Sequence, residues 1–307
     1  MEYRIASFNL KNFGQDSWKK RDLHKLAEII TEERFDVVAL QEVLSEGKGV
    51  NHLIEELVKY ELYEWDYCFE APRETSDTET VKNVNRSEGY AYLWNKRTFK
   101  IVEFSKLGNV KQFDPRIINT LSNDVNADCS FLARAPYYIR LEPLFGGFFE
   151  LRLINIHIYW GNTSITAINK RIMEYDMLTQ SIYPAISSKM YGNFRIPYTI
   201  AMGDYNLNIF SPFIQDKKAV LNPELIHNEG GKAISIITTQ NELSTLKKNE
   251  NGYSNNYDHF TFSPERIQNV NVSCDVIDAV NKYCSGDYAY YNEKISDHLQ
   301  ILLKIDI

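Results

Sequence analysis

Apolar positions along the chain change period several times, and each change marks an element. Residues 3–10, YRIASFNL, read as a strand. Residues 22–34 then carry Leu23, Leu26, Ala27 and Ile30 at i, i+3, i+4 and i+7, which predicts an amphipathic helix. FDVVALQEV, 35–43, is an apolar run of strand length, as expected of a strand covered on both faces. Strand, helix and strand in that order predict a parallel pair with a crossover helix. Asn51 fits the N-cap of a short helix carrying Leu53, Ile54, Leu57 and Val58.

Residues 71–88, APRETSDTETVKNVNRSE, are polar without a period and read as a loop. GYAYLWNKRTFKIVEF follows, two β-rich runs around Asn95–Arg97, which predict a hairpin. Residues 107–130 are irregular, and APYYIRLEPL and FFELRLINIHIYW form a strand pair around Gly146-Gly147. The longest helical stripe is Ile168, Ile172, Tyr175 and Leu178 within 164–185. The strand PYTIAMGDYN comes next, and Ser211-Pro212 resembles a helix start. Residues 213–250 are mixed, and strands close the chain near 257–263, 270–277 and 297–305. No linker rich in Gly, Ser or Pro divides the chain, so one domain over 1–307 is expected. Strands dominate with helices in both halves, which favours two sheets packed face to face with helices outside.

Polar groups recur where these strands end. Asn9 follows SF, Glu42 follows VVALQ, and His157 lies in LINIHI. Asp204 and Asn206 end TIAM, Asp258 and His259 open YDHFTF, and Asp297 and His298 open DHLQILL. Strand residues i and i+2 share a face, so Asp204 and Asn206 are expected to aim into one cleft. Each group alone fits a turn or a capped terminus. Together they would line one rim of the sandwich, where catalytic groups are commonly placed. Carboxylates and amides are hard ligands that favour Mg²⁺, with Mn²⁺ or Ca²⁺ also suited. No HExxH helix or C-x-x-C pair occurs, so zinc is poorly supported. Mg²⁺ with histidine and carboxylate suits attack of water on a phosphate ester.

Composition narrows the setting. The 307 residues are 44% hydrophobic and 24% charged, as in folded globular proteins. The net charge of −7 argues against a sequence-independent nucleic-acid coat, but a cation and a few basic residues would reverse the field within one cleft. Cys68, Cys129, Cys274 and Cys284 are scattered and read as small hydrophobes. MEYRIASFNL lacks the basic and apolar regions of a signal peptide, and no apolar stretch approaches the ~20 residues of a membrane span. A cytoplasmic or other intracellular location without stable membrane association is therefore expected.

SFNLKNFG, LQEV, SEGYAYLW, INIHI, GDYNLN, YDHFTFS and ISDHLQI stand in the order found in the endonuclease/exonuclease/phosphatase superfamily. The chain most resembles its deoxyribonuclease I-like branch, including bacterial MnuA-type nucleases. These motifs run from residue 7 to residue 301, and GD-x-N with SDH is the most specific pair. The resemblance implies an α+β fold, a four-layer α/β/β/α sandwich of two mixed sheets with the site at one rim. It implies Glu42 as principal metal ligand with Asn9 and Asp297 nearby, Asp204 as the water-handling carboxylate, and Asn206, with Asn9, as a phosphate-binding amide. His157 would pair with Glu88 and His298 with Asp258, each carboxylate raising the imidazole pKa. Arg134 in ARAPYYI matches an arginine–proline element that contacts phosphate. Lys11, Arg73, Lys82 and Arg86 are candidate phosphate contacts, with a solvated surface charge as the plain alternative. Tyr159 and Trp160 suit stacking on a base or sugar, and packing at the rim suits them equally.

The implied activity is a divalent-metal-dependent phosphodiesterase, with DNA favoured over RNA and an endonuclease leaving 5′-phosphate and 3′-hydroxyl ends as the preferred form. The alternatives are action on inositol phosphates or phospholipids, and a noncatalytic phosphate-binding module.

Overall fold

Two crossovers of the strand–helix–strand type organise the molecule, one in each sheet. The computed structural model describes residues 1–14, 17–44, 47–60, 65–70, 88–106, 109–112, 116–117, 132–145, 147–191, 195–209, 219–240, 242–267 and 270–307. The polar loop with Arg73, Lys82 and Arg86, the Ser211-Pro212 helix start, Cys129 and most of 107–130 lie outside these residues.

The first strands are β1 (Glu2–Phe13), β2 (Val37–Leu44), β3 (Trp65–Glu70) and β4 (Glu88–Asn95). The middle of the chain supplies β5 (Phe99–Ile101), β6 (Glu103–Lys106), β7 (Asn109–Gln112), β8 (Arg116–Ile117), β9 (Tyr137–Pro143), β10 (Phe149–His157) and β11 (Ile196–Asp204). The last are β12 (Glu224–Glu229), β13 (Lys232–Thr239), β14 (Asp258–Phe262), β15 (Asn271–Ile277) and β16 (Gln300–Asp306). One sheet runs β15-β16-β1-β2-β4-β3, the other β12-β13-β14-β11-β10-β9-β5 with β8 on β9, and β6-β7 is a separate ribbon.

Each large sheet is mixed, with a single parallel pair among the described strands: β1 with β2, and β10 with β11. The helix α1 (Leu23–Glu32) joins the first pair, and it packs beside α2 (Lys48–Tyr60). The helix α3 (Ile165–Met177), a π turn at Leu178–Ile182 and α4 (Tyr183–Ser188) join the second. The short helices α5 (Ala279–Tyr283) and α6 (Tyr288–Lys294) lie between β15 and β16.

Alternation sorts the core. Ala6, Phe8, Leu10, Val38 and Leu40 cluster with Leu26, Ile29 and Ile30 of α1 and Leu53 and Leu57 of α2. Tyr3, Ile5, Val37 and Ala39 point the other way, into a cluster with Leu153, Ile200 and Met202 of the second sheet and Ile168, Tyr175 and Ile182 behind it. The result is a four-layer α/β/β/α sandwich. A polar bridge crosses its middle: Gln41 Nε2 donates to Asn155 Oδ1 at 2.7 Å and to Ser7 Oγ at 3.0 Å, and Asn155 Nδ2 donates to Leu40 O at 3.0 Å.

Two local expectations fail. The runs around Asn95–Arg97 do not form a hairpin: β4 pairs with β2 and β3, while β5 pairs with β9 in the other sheet. The turn there carries the chain between layers, which strand propensity alone does not distinguish from a hairpin. Asn51 is no N-cap, because α2 begins at Lys48; its side chain accepts from the Tyr67 hydroxyl instead.

Candidate active site

The carboxyl ends of the two parallel pairs meet at one rim, the usual place for a site in sheets with helical crossovers. Side by side across the second sheet, His157 of β10 registers with Asp204 of β11, and Asp204 with Asp258 of β14. Pairing alone therefore gathers three chemical groups.

The first sheet adds Asn9 and Glu42 through irregular backbone. Strict alternation after Ala39 and Gln41 would turn Glu42 toward the helices with Leu40. Instead the β1–β2 and β2–β4 registers shift here, and Glu42 has φ +56°. Such bulges re-aim side chains. The Glu42 carboxylate accepts from Asn9 Nδ2 at 3.0 Å and from the Asn12 backbone N–H at 2.7 Å. Asn9 Nδ2 also donates to Asp204 Oδ2 at 3.0 Å, while the Lys11 N–H donates to Asn9 Oδ1 at 2.9 Å. Asn9 thus presents its nitrogen to both carboxylates, and the oxygen expected to face a metal is engaged by main chain.

Asp204 is the hub. His157 Nε2 lies 3.5 Å and His298 Nε2 3.6 Å from its Oδ2, and the Asn206 N–H donates to its Oδ1 at 2.9 Å. Asn206 does not reach the cleft by strand alternation, because β11 ends at Asp204 and Asn206 turns at φ +51°. Its Nδ2 donates to Ile158 O at 2.8 Å. One amide hydrogen makes that bond, and the second is available to an anion.

His298 Nδ1 sits 2.8 Å from Asp258 Oδ2, which also accepts from Ser244 Oγ at 2.6 Å. Burial acts to lower the His298 pKa, but the charges of Asp258 and Asp204 outweigh it and hold the imidazole well above its ordinary value. His157 moves the opposite way. Its Nδ1 is 3.5 Å from Glu88 Oε2, yet Glu88 is ion-paired with Arg134. Burial, then the charges of Arg134 and His298, push His157 well below its ordinary value, reversing the expected rise. For Asp204, burial raises the carboxyl pKa, His298 opposes and Asp258 adds to it, with a net rise.

Arg134 is held by Glu88 and lies 3.4 Å from His157 O, which places it behind His157. Asp297 is 38% exposed at its side chain and pairs with Lys11 Nζ at 3.1 Å; Lys11 also donates to Asn292 Oδ1 at 2.7 Å. His259 is fully buried, its ring nitrogens 3.0 Å from Gln240 O and 2.8 Å from Leu207 O, a structural histidine within the sheet.

A model of the Endonuclease/Exonuclease/phosphatase family matches residues 6–298. The chain belongs to this family. Solved structures similar to it include a family protein from Bacteroides thetaiotaomicron, 15% identical, covering 99% of this chain and 97% of that one with a TM-score of 0.57. A mannosyl-6-phosphatase from the same organism is 14% identical, with 99% and 100% coverage and a TM-score of 0.57. D. rerio TDP2 complexed with a single-strand DNA product is 14% identical, with 100% and 99% coverage and a TM-score of 0.55. At such identities the likeness is one of fold. A comparison with curated proteins finds no match.

Members of the family are phosphoester hydrolases, and the rim described above holds the donors such chemistry uses. Asp204, Asp258 and His298 have ligand atoms within 4.8 Å of one another, the one such group found among the described residues. Glu42 joins them through Asn9. Three participants were not legible as such in the sequence. Ser244 holds Asp258 from the unpatterned 213–250 segment. Ser296 Oγ donates to Asn9 O at 2.6 Å, and its place beside Asp297-His298 is a faint signal. Arg171, fully buried on α3, donates to Trp160 O at 3.0 Å, to Asn206 O at 3.2 Å and to Asn162 O.

Proposed function

We propose that this protein is a divalent-cation-dependent phosphodiesterase acting on polynucleotides, DNA in preference to RNA, with residues 1–307 working as one domain. The observation that carries the reading is the convergence of His157 and His298, at 3.5 and 3.6 Å, on the Asp204 oxygen that Asn9 also holds. The single-strand DNA product complexed with D. rerio TDP2, a protein of similar fold, supports a strand as substrate.

The donor set fits a hard cation, with Mg²⁺ favoured. Glu42 and Asp204 both accept from one Asn9 nitrogen, at 3.0 Å each, so two carboxylates crowd a small volume. A cation there would offset the negative charge gathered at this junction. Glu42 would hold it, with Asp297 from the flank and Asp204 left as the base, and it would supply charge neutralisation on the phosphate when bound.

The side chains divide the proton chemistry. Asp204, with its raised pKa, takes a proton from the attacking water. The water oxygen bonds to phosphorus as the bond to the leaving O3′ breaks. That oxygen takes a proton from His298, which the Asp258 and Asp204 charges keep protonated. The products are 5′-phosphate and 3′-hydroxyl ends. His157, held neutral, and the free Asn206 amide hydrogen hydrogen-bond the phosphate oxygens, while Arg134 adds positive charge behind them.

Asp204→Asn and His298→Ala should each lower single-turnover cleavage of plasmid DNA about 100-fold or more with circular dichroism unchanged. Wild-type rates in both variants, or turnover of sugar and inositol phosphates without turnover of any DNA or RNA strand, would overturn the reading.

A further inference from the structure

Three residues beyond His157, Trp160 stands on the loop that follows β10. Its indole is 40% exposed. The Arg171 guanidinium carbon lies over the ring, 4.3 Å from the centroid, and the Tyr257 ring leans beside it at 5.7 Å and 55°. One face is thus covered by a buried cation, and the residue still keeps a large exposed area.

The backbone beneath it is fixed. Arg171 binds the carbonyls of Trp160 and Asn162, and the same guanidinium binds Asn206 O. Asn206 Nδ2 reaches back to Ile158 O, two residues before the indole. Gly161, at φ +64°, lies so close to Tyr159 that a Cβ would come 2.4 Å from its ring, and Lys170 sits 4.4 Å above that ring. Through Arg171 the exposed loop is anchored at two carbonyls and tied to the residue whose amide is assigned to the phosphate. An exposed tryptophan is unremarkable by itself. One immobilised from below and coupled to a phosphate-binding group has the form of a stacking platform, at little entropic cost.

We propose that Trp160 is the stacking surface for a nucleobase next to the scissile phosphate and selects base-bearing phosphodiesters over sugar or inositol phosphates. This deepens the phosphodiesterase reading and rests on it. Arg171 is the positioning residue that presents the indole.

Two measurements test the proposal. The first compares kcat/KM on an oligothymidylate with that on a strand of equal length built from abasic tetrahydrofuran units. Stacking worth about 1.4 kcal/mol, within the range per base, is tenfold. Trp160→Ala should therefore lower the ratio of the two values about tenfold, chiefly through KM on the base-bearing strand, and Trp160→Phe should restore most of it. An unchanged ratio would overturn the proposal. The second needs no turnover: titration of wild-type protein and Trp160→Phe with the oligothymidylate, read by tryptophan fluorescence. Quenching present in the wild type and lost in the variant supports stacking, and equal quenching in both sinks it. Quenching by Trp160 without hydrolysis of either strand would instead count against the phosphodiesterase reading alone.

Discussion

Gly203 registers with Ile156 of β10, at φ +148°, and a Cβ on it would lie 1.8 Å from the Ile156 carbonyl oxygen. Neither backbone can yield without moving His157 and Asp204, the next residues on each strand. Gly203→Ala should therefore cost at least about 2 kcal/mol in urea unfolding and lose activity beyond that loss of fold. An alanine variant of unchanged midpoint would show that the strands have slack. At this scale the sequence was informative about which polar groups gather at the rim: Asp204, Asp258, His298 and Glu42 stood out as polar residues at strand ends. Their orientation was not legible. Glu42 reaches the cleft through a left-handed bulge, and Asn206 through a turn rather than a strand. The direction of the His157 shift is set by its burial and then by the charges of Arg134 and His298, all products of long-range packing.

Among elements, α1 offers a clean test of local physics. Asp22 is its N-cap, accepting from Lys25 N at 2.8 Å, and its other oxygen accepts from the Tyr290 hydroxyl of α6. Burial opposes ionisation of Asp22, but these two hydrogen bonds prevail and its pKa is lowered. A lowered carboxyl pKa gives stability that is complete above the unfolded value, about 3.9, and fades as pH falls through the folded one. Asp22→Ala should cost about 1 kcal/mol at pH 7, and the gap from wild type should narrow below about pH 4. A gap independent of pH in urea melts would assign the cap to geometry alone. The helices α1, α2 and α3 and most of the long strands followed from period, whereas the Asn51 cap failed and α5 and α6 went unread. The turn at Asn95–Arg97 did not, because a turn into the facing sheet and a hairpin share the same residues.

Across the whole molecule, Glu42 comes from one sheet and Asp204 from the other, with Asn9 between them. A cation at that junction should bind the folded chain alone. At a hundred times its Kd it would add about 2.7 kcal/mol, so Mg²⁺ or Mn²⁺ should raise the Tm of wild-type protein, and Glu42→Gln should blunt that rise. EDTA should abolish hydrolysis, and added Mg²⁺ should restore it. A Tm indifferent to either cation in the wild type would remove the proposed donor set. The layered architecture was legible because alternating strands with helices in both halves admit few arrangements. The pairing order within each sheet was not, since it depends on long-range registers.

That pairing order has a consequence for synthesis. β16 lies between β15 and β1, so an interior place in the first sheet is filled from residues 300–306. His298 stands immediately before it. A ribosome translating this message releases β1, β2 and the entire second sheet well before either His298 or the strand that anchors it. The growing chain therefore carries Glu42, His157 and Asp204 without His298, the proton donor of the proposed reaction. On the proposed chemistry, such a chain would hydrolyse nothing until β16 takes its place in the sheet.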